Sequence, residues 1–482
     1  MHPENKKYVI IFYIALILFI ALQILTLYHN NPLWWDEAVY IGMGKYIFSG
    51  CSIGFWEEIR PPIMPLFSGI LWKLGFDPLS AGRTMAMLFS AGTIVLTYLI
   101  GRRAFGEKEG ITAAVLLAFT KIYFYFSTLL LSDIISLFFA MAAIYAYISI
   151  KSEKSMFITG IFVSMAFLTR FPMAAVAAAI AVSIIISEKY GKKGAFSFES
   201  TLNKIYDFMS GVLFLVIPYL LINEYLYGSF AKPFISANKN ITKIYSWLYD
   251  LGYGFYFNEL WIQSTFLAFT AIGIIYFVAG KLWQDKEKLP VFVAGLFLII
   301  YFTLLNHKEA RYMLAFLPYL FIIAAYGFFE ILRMFEKAPY KQIASVISII
   351  FLSITVWNLV LVDIERAKEV GNISEFEKTY SKMDFGKGPL FSSTRNIVVY
   401  SDLKITPIYY SLIFTQNNYD AIHDETGYAI FNSCDFPCPE EDIECSNTIK
   451  AFARDIQKNS KTIYYGNDSK CDYYIFQKQK VV

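Results

Sequence analysis

Asp36 and Glu37 stand side by side after Trp34 and Trp35, and Glu57, Glu58 and Arg60 precede the Pro61-Pro62 pair. Farther along come Asp133, set among Leu129 to Leu131 and Ile134 to Ile135, then Arg170, and then the run His307, Lys308, Glu309, Arg311 and Tyr312. Carboxylates mixed with arginines suit group transfer from a lipid phosphate. An acceptor hydroxyl has a very high pKa, so a carboxylate must take its proton as the new bond forms. The departing phosphate gains negative charge, and fixed guanidinium or ammonium donors in a poorly hydrated cleft stabilise it without reorganising. Asp36 is the expected base, and Arg60, Arg170 and Arg311 are the candidate phosphate contacts.

Each position also has a plainer reading. Asp36 and Glu37 would serve as caps of a short helix expected to begin near Ala38, since acids favour helix N-termini. Arg60 would be a snorkelling interface residue, Trp34 and Trp35 an aromatic belt, and Arg170 and the turn from His307 to Arg311 solvated outer loops. Asp133 resists such a reading, because an acid amid apolar neighbours needs a partner.

The elements that must position these residues are membrane helices. The chain is 56% hydrophobic and only 17% charged, with a mean hydropathy of +0.47, well outside the soluble norm. Its apolar residues come in blocks of about twenty, the length an α-helix needs to cross hydrocarbon. A net charge of +3 without a long basic run gives no reason to invoke nucleic acid. The pattern predicts eleven spans, near 8–28, 80–100, 110–127, 132–150, 155–170, 172–187, 205–226, 260–280, 289–306, 311–332 and 342–362. The first lacks a small-residue cleavage site and reads as a retained helix rather than a signal peptide.

With a cytoplasmic N-terminus, the inner loops hold Arg102/Arg103/Lys108, Lys151/Lys154, Lys189/Lys192/Lys193, Lys281/Lys286/Lys288 and Arg333/Lys337/Lys341, as the positive-inside rule requires. The loop from His29 to about Leu79, the loop from Tyr227 to Glu259 and everything after Val362 then lie outside. Asn240, Asn372 and Asn467, each in an Asn-x-Ser/Thr triplet, fall on that side. The charged candidates would together form a mixed acidic and basic site at the outer leaflet.

The fold class expected is an all-α polytopic membrane domain over residues 1–363 with a small extracytoplasmic mixed α/β domain over 364–482, whose short alternating runs include Asn396 to Tyr400, Pro407 to Ile413 and Thr462 to Tyr465. Four of the five cysteines, Cys434, Cys438, Cys445 and Cys471, lie in this tail. An oxidising compartment makes disulfides the default, with three pairings open and a zinc site as the runner-up; Cys51 is left unpaired.

Several of these segments, in order and on one face, resemble the GT-C superfamily, in particular its dolichyl-phosphate-mannose protein mannosyltransferase and aminoarabinose transferase branch. Trp35-Asp36-Glu37-Ala38-Val39-Tyr40 looks like the family's outer-loop Asp-Glu motif. Arg60-Pro61-Pro62-Ile63-Met64-Pro65-Leu66 resembles its basic and double-proline segment, with Arg where Lys is common. Ser132-Asp133 matches the acid opening the fourth span, Leu168-Thr169-Arg170 the basic end of the fifth, and Arg311-Tyr312-Met313-Leu314-Ala315-Phe316-Leu317-Pro318 a late arginine/tyrosine-to-proline segment.

The resemblance covers roughly residues 8–362 and implies an inverting, single-displacement transfer from a polyprenyl-phosphate sugar. Asp36 would be the acid that acts as base or organises the acceptor, Glu37 its neighbour, Asp133 the second acid and Arg60 a phosphate contact. Arg170, His307, Lys308, Arg311 and Tyr312 complete the expected substrate-binding set. Members differ in metal dependence; Glu57, Glu58 and His307 are plausible ligands of a divalent ion, and no metal is assigned. The repeated domain that protein O-mannosyltransferases insert in a late outer loop is not found, so protein, lipid headgroup, glycan and carrier lipid all stay open as acceptors. The competing readings are a polytopic transporter or flippase, which calls for broken helices and polar groups near the midplane, and a non-enzymatic assembly subunit that binds partners through its tail.

Overall fold

The computed structural model describes residues 3–29, 32–152, 154–190, 197–239, 249–335, 341–369, 371, 373–408, 427–436, 438, 442–458, 460–468 and 470–478. Asn240 and Asn372 lie outside them, as does most of the run from Pro407 to Ile413. The chain divides into two compact units: one holds Met1–His29, Arg83–Thr242 and Tyr249–Glu369, the other Asn30–Gly82, Lys243–Leu248 and Val370–Val482.

Sixteen helices run through the apolar part among the described residues: α1 Pro3–Tyr28, α2 Trp35–Phe48, α3 Ile63–Lys73, α4 Pro78–Ala104, α5 Glu107–Phe119, α6 Lys121–Phe126, α7 Ser132–Ser149, α8 Ser155–Thr169, α9 Ala174–Tyr190, α10 Phe198–Tyr227, α11 Lys232–Lys239, α12 Phe255–Gln263, α13 Phe269–Ala279, α14 Leu289–Leu304, α15 Leu317–Phe335 and α16 Lys341–Ala367. Among the described residues, seven helical stretches are long and apolar enough to cross a bilayer: Lys7–Tyr28, Pro78–Ala104, Ser132–Ser149, Phe171–Tyr190, Phe198–Tyr227, Leu317–Phe335 and Ser345–Ala367. Ser155–Thr169, Thr265–Ala279 and Leu289–Leu304 are shorter apolar helices where the sequence predicts three further spans.

The predicted span over 110–127 is not one helix. The chain extends at Thr120 (φ −69°, ψ 125°), separating α5 from α6. Polar partners make the break tolerable in an apolar setting, where every freed backbone group must find a hydrogen bond. The Ile122 N–H donates to Gln263 Oε1 at 3.0 Å, Gln23 Nε2 donates to the Phe124 carbonyl at 2.8 Å, and Ser90 Oγ donates to the Ser127 carbonyl at 3.1 Å. This irregular stretch leads directly into α7 and so sets where Asp133 begins that helix.

Close helix crossings fix α8, the helix that ends at Arg170. A Cβ on Gly160 would come within 2.2 Å of the Phe208 carbonyl oxygen, and one on Gly211 within 2.1 Å of the Phe157 carbonyl oxygen. Only glycine lets α8 and α10 approach so nearly, the usual device where no hydrophobic drive separates helix from lipid. At the opposite end of the bundle the basic residues expected inside find acids: Arg103 Nη2 lies 2.8 Å from Glu287 Oε1, and Arg333 pairs with Glu109.

In the second unit, α2 and α3 pack together, with Gly44 and Gly69 in contact: a Cβ on Gly44 would sit 2.5 Å from the Gly69 nitrogen. The tail carries strands β1 Leu390–Ser392, β2 Ile405–Pro407, β3 Tyr428–Asn432, β4 Ser460–Asn467 and β5 Asp472–Lys478. They form one mixed sheet in the order β2-β1-β3-β5-β4. β1 runs parallel to β2 and β3, whereas β5 is antiparallel to β3 and β4. The helix Ile443–Lys458 lays Ile449, Phe452, Ala453 and Ile456 against Phe391, Phe431 and Phe476 of the sheet, making the core.

The expected mixed α/β domain is therefore present, and the run from Thr462 to Tyr465 lies in β4. The run from Asn396 to Tyr400 is instead a helical turn, Ile397–Tyr400. Its β-branched residues favour strand locally, but Ile397 and Val398 are fully buried, and Lys45 of α2 holds the end of the turn, donating to the Val398 carbonyl at 2.8 Å and the Ser401 carbonyl at 3.2 Å. Tertiary contact overrides propensity here.

The tail cysteines form two disulfides, Cys434–Cys471 and Cys438–Cys445, and Cys51 is free and exposed. Their sequence separations of 37 and 7 constrain the unfolded chain unequally: loop-closure entropy assigns about 4 kcal/mol to the longer and about 2 kcal/mol to the shorter. The Cys434→Ala/Cys471→Ala pair is accordingly expected to lower the thermal midpoint of the purified protein more than Cys438→Ala/Cys445→Ala, a difference that calorimetry of the two variants measures directly.

Candidate functional site

Trp34, Asp36, Glu37, Glu57 and Arg60 of the second unit assemble at the start of α2. Trp34 is the N-cap, and Glu37 reaches back so that its Oε2 accepts from the Trp34 N–H at 3.0 Å. Glu37 thus does what an acid in a first helical turn ordinarily does, the reciprocal half of a capping box. The helix starts at Trp35, three residues before the position expected from sequence. Asp36, in the same turn, points elsewhere: its Oδ1 lies 2.7 Å from Arg60 Nη2. Arg60 Nε lies 3.3 Å from Glu57 Oε2, and its guanidinium lies 5.8 Å from the Tyr40 ring. The second Glu57 oxygen, Oε1, lies 2.6 Å from Arg395 Nη2, and the Arg395 side chain is fully buried. Arg395 also stacks over Trp35, 3.6 Å from the ring centroid. The result is an alternating row, Asp36, Arg60, Glu57, Arg395, in which each guanidinium is shared between groups. The Asp36 side chain keeps 11% of its surface open.

A second cluster forms in the first unit. Asp133 occupies the first turn of α7, where the helix dipole favours an anion. α8 stops because Arg170 adopts extended backbone (φ −157°, ψ 112°) and Pro172 follows it. Arg170 ion-pairs with Asp133, whose side chain is 2% exposed, and covers the Tyr312 ring at 4.5 Å and the Phe302 ring at 5.7 Å.

The turn between α14 and α15 brings Glu309 into the middle of this group. His307 Nε2 lies 2.8 Å from Glu309 Oε1, Arg311 Nε lies 2.8 Å from Oε2, and the Tyr312 hydroxyl donates to Oε1 at 2.8 Å. Arg311 Nη1, 3.9 Å from Asp133 Oδ2, joins the two acids. Burial alone would raise the Glu309 carboxyl, but the charge of Arg311 and the hydrogen bonds from His307 and Arg311 pull it down to about 2. Lys308 is buried too. Its Nζ lies 5.5 Å from the Tyr253 ring, and its backbone N–H donates to the Tyr249 carbonyl at 3.0 Å, while the Tyr249 and His307 rings stand 4.1 Å apart.

Asp133, Arg170, His307, Arg311 and Tyr312 are therefore brought into one cluster, with Lys308 on its flank beside the 249–256 segment. Asp36 and Arg60 meet in the other. Two participants carry no clear linear signal: Glu309 reads in sequence as one more charge in a polar turn, and Arg395 is a lone cation after Ser392-Ser393-Thr394. Of the plausible metal ligands, Glu57 is engaged by two arginines and His307 by Glu309. Among the described residues no group of three or more His, Cys, Asp or Glu side chains is placed to hold a metal ion.

Residues 59–222, a segment that contains Arg60, Asp133 and Arg170, match the family model described as dolichyl-phosphate-mannose-protein mannosyltransferase. The fold is similar to that of ArnT from Cupriavidus metallidurans bound to undecaprenyl phosphate, with a TM-score of 0.63 at 12% identity over 98% of each chain. It is also similar to the archaeal oligosaccharyltransferase AglB from Archaeoglobus fulgidus in complex with an inhibitory peptide and a dolichol-phosphate, with a TM-score of 0.60 at 12% identity over 98% of this chain and 74% of that one. No curated protein sequence matches this one. Both solved structures are GT-C glycosyltransferases, and the expected GT-C architecture, helical membrane part plus small C-terminal sheet domain, is the one found.

A carboxyl held at about 2 against an ordinary 4.5 stabilises the fold by about 3 kcal/mol wherever the unfolded chain is ionised. That contribution is complete above pH 4.5 and drains away as pH falls towards 2. Glu309→Gln should therefore lower the thermal midpoint strongly at pH 6, with the gap to wild type narrowing by about half or more by pH 3; a gap that stays constant across that range would mean that the Glu309 charge is not what holds the turn.

Proposed function

We propose that this chain, which has the fold of the GT-C glycosyltransferases, is an integral membrane enzyme that moves a sugar from a polyprenyl-phosphate donor to an extracytoplasmic acceptor by inverting displacement. The observation that carries the reading is the Asp36–Arg60 pair at the start of α2, 2.7 Å apart with Asp36 partly open. A guanidinium and a helix N-terminus both favour the charged form of a neighbouring carboxylate, and the charged form is the one that can accept a proton. The Asp36 carboxylate takes the acceptor hydroxyl proton as that oxygen attacks the anomeric carbon. The bond from the anomeric carbon to the phosphate oxygen breaks on the opposite face, and the electron pair leaves with polyprenyl phosphate.

Arg60 is assigned to the phosphate, whose charge grows as the bond breaks. Arg170 and Arg311, oriented by Asp133 and Glu309, are assigned the same chemistry, with His307, Lys308 and Tyr312 lining the donor. Glu37 acts through the helix it caps. A lipid phosphate is the ligand named for ArnT and dolichol-phosphate that named for AglB, which supports a lipid-linked donor here over the transporter reading. Disulfides in the tail fit an oxidising compartment and support an N-terminus in the cytoplasm with residues 364–482 outside; catalysis is assigned to residues 1–363.

The test is release of free polyprenyl phosphate from a panel of polyprenyl-phosphate sugars by purified protein with acceptor extract. Asp36→Asn at matched folding is expected to cut turnover by about 10²–10⁴ while the donor still binds. Turnover unchanged in Asp36→Asn would remove Asp36 as base, and no release by wild type with any donor would favour a transporter or scaffold.

A further inference from the structure

The tail does more in its own unit than close a sheet. Arg395 follows β1 by three residues and is fully buried, yet arginine cannot shed its charge, so burying it is costly unless its partners are well placed. Those partners belong to the outer loop: Glu57 Oε1 at 2.6 Å and the face of Trp35 at 3.6 Å. Trp35 is the residue before Asp36, and Glu57 is the acid that shares Arg60 with Asp36. Arg395 therefore touches both supports of the Asp36–Arg60 pair.

The backbone carrying Arg395 is in turn fixed from behind. Ser393 Oγ donates to Asp435 Oδ2 at 3.0 Å, Asn432 Nδ2 donates to Asp435 Oδ1 at 3.1 Å, and Asp435 is the neighbour of Cys434, which is bonded to Cys471. Lys404, just before β2, forms an isolated bridge to Gly54, three residues before Glu57.

We propose that Arg395 is a positioning residue for transfer: by holding Glu57 and Trp35 it keeps Glu57 from drawing Arg60 off Asp36, so that the tail sets the geometry of the proposed base. The inference rests on the reading of Asp36 given above. Lys45 provides the contrast. It also ties the outer loop to the tail, through the Val398 and Ser401 carbonyls and Asp402 at 2.8 Å, but it contacts none of Asp36, Glu57 or Arg60 in these pairs. A tie that is only structural should behave like Lys45; a positioning residue should not.

Polyprenyl phosphate release is measured for wild type, Asp36→Asn, Arg395→Gln, Arg395→Lys, Glu57→Gln, Lys45→Met and the Arg395→Gln/Glu57→Gln double variant, each at matched folded concentration. Arg395→Gln is expected to lower kcat on the order of 10–100-fold with donor KM within about twofold, and Arg395→Lys, which keeps the charge, to recover part of the loss. Lys45→Met should lower the thermal midpoint as much as Arg395→Gln but keep kcat within about twofold of wild type. Because Arg395 would act through Glu57, the double variant should be no slower than the slower single. Wild-type kcat in Arg395→Gln, an equal loss in Lys45→Met, or losses that multiply in the double variant would each overturn the proposal. Should Asp36→Asn be inactive while Arg395→Gln is wild type, only the positioning role falls; should Asp36→Asn turn over normally, the reading of the base falls and the positioning role with it.

Discussion

Arg170 and Asp133 meet at the ends of two apolar helices, and much of the first unit is arranged so that they can. Neither charge is stable alone beside hydrocarbon. Pairing them requires α8 to stop at Thr169, α7 to start at Ser132, and the two helix ends to lie side by side. The glycine crossing between α8 and α10 sets how deep α8 sits, and the irregular stretch after Thr120 sets where α7 starts. Glu309 and Arg311 then close the group from the turn before α15. Breaking any one member would leave a buried charge uncompensated, which is far costlier than never having placed the pair.

The second unit solves the same problem by alternation. Asp36, Arg60, Glu57 and Arg395 form a row in which no charge faces a like charge as its nearest partner. Such a row is only as well placed as its ends. One end is fixed by the Glu37 cap at the start of α2, and the other by a buried arginine whose backbone leaves the central part of the tail sheet. Loop and sheet are thus parts of one compact unit although more than three hundred residues of chain separate them.

The sequence makes the apolar spans, the order of the charged segments and the mixed tail domain legible, because these depend on local composition and period. It hides the pairings. Asp36 and Arg60 are 24 positions apart, and nothing in either segment announces the other. Thr120 breaks a span that reads as continuous because a distant side chain, Gln263, accepts the freed N–H. The Ile397–Tyr400 turn reads as strand because its residues prefer strand, and it is helical because Lys45 and burial outweigh a preference worth less than about 1 kcal/mol. Arg395 has no neighbours of its own kind to mark it.

The two acids that sequence and resemblance single out end in different environments, and the difference supports the roles proposed for them. Asp133 is 2% exposed and faces both Arg170 and Arg311, so an incoming acceptor has little access to it. Asp36 lies 2.7 Å from Arg60 Nη2 and retains 11% of its side-chain surface. A guanidinium beside a carboxylate favours the charged form, the form that can take a proton from an incoming hydroxyl. A base must be reachable at the moment of attack, and the more open Asp36 suits the proposed role better than the buried Asp133. Asp133 is better suited to orient Arg170 and Arg311, whose fixed charges are useful to a departing phosphate only if they do not have to move.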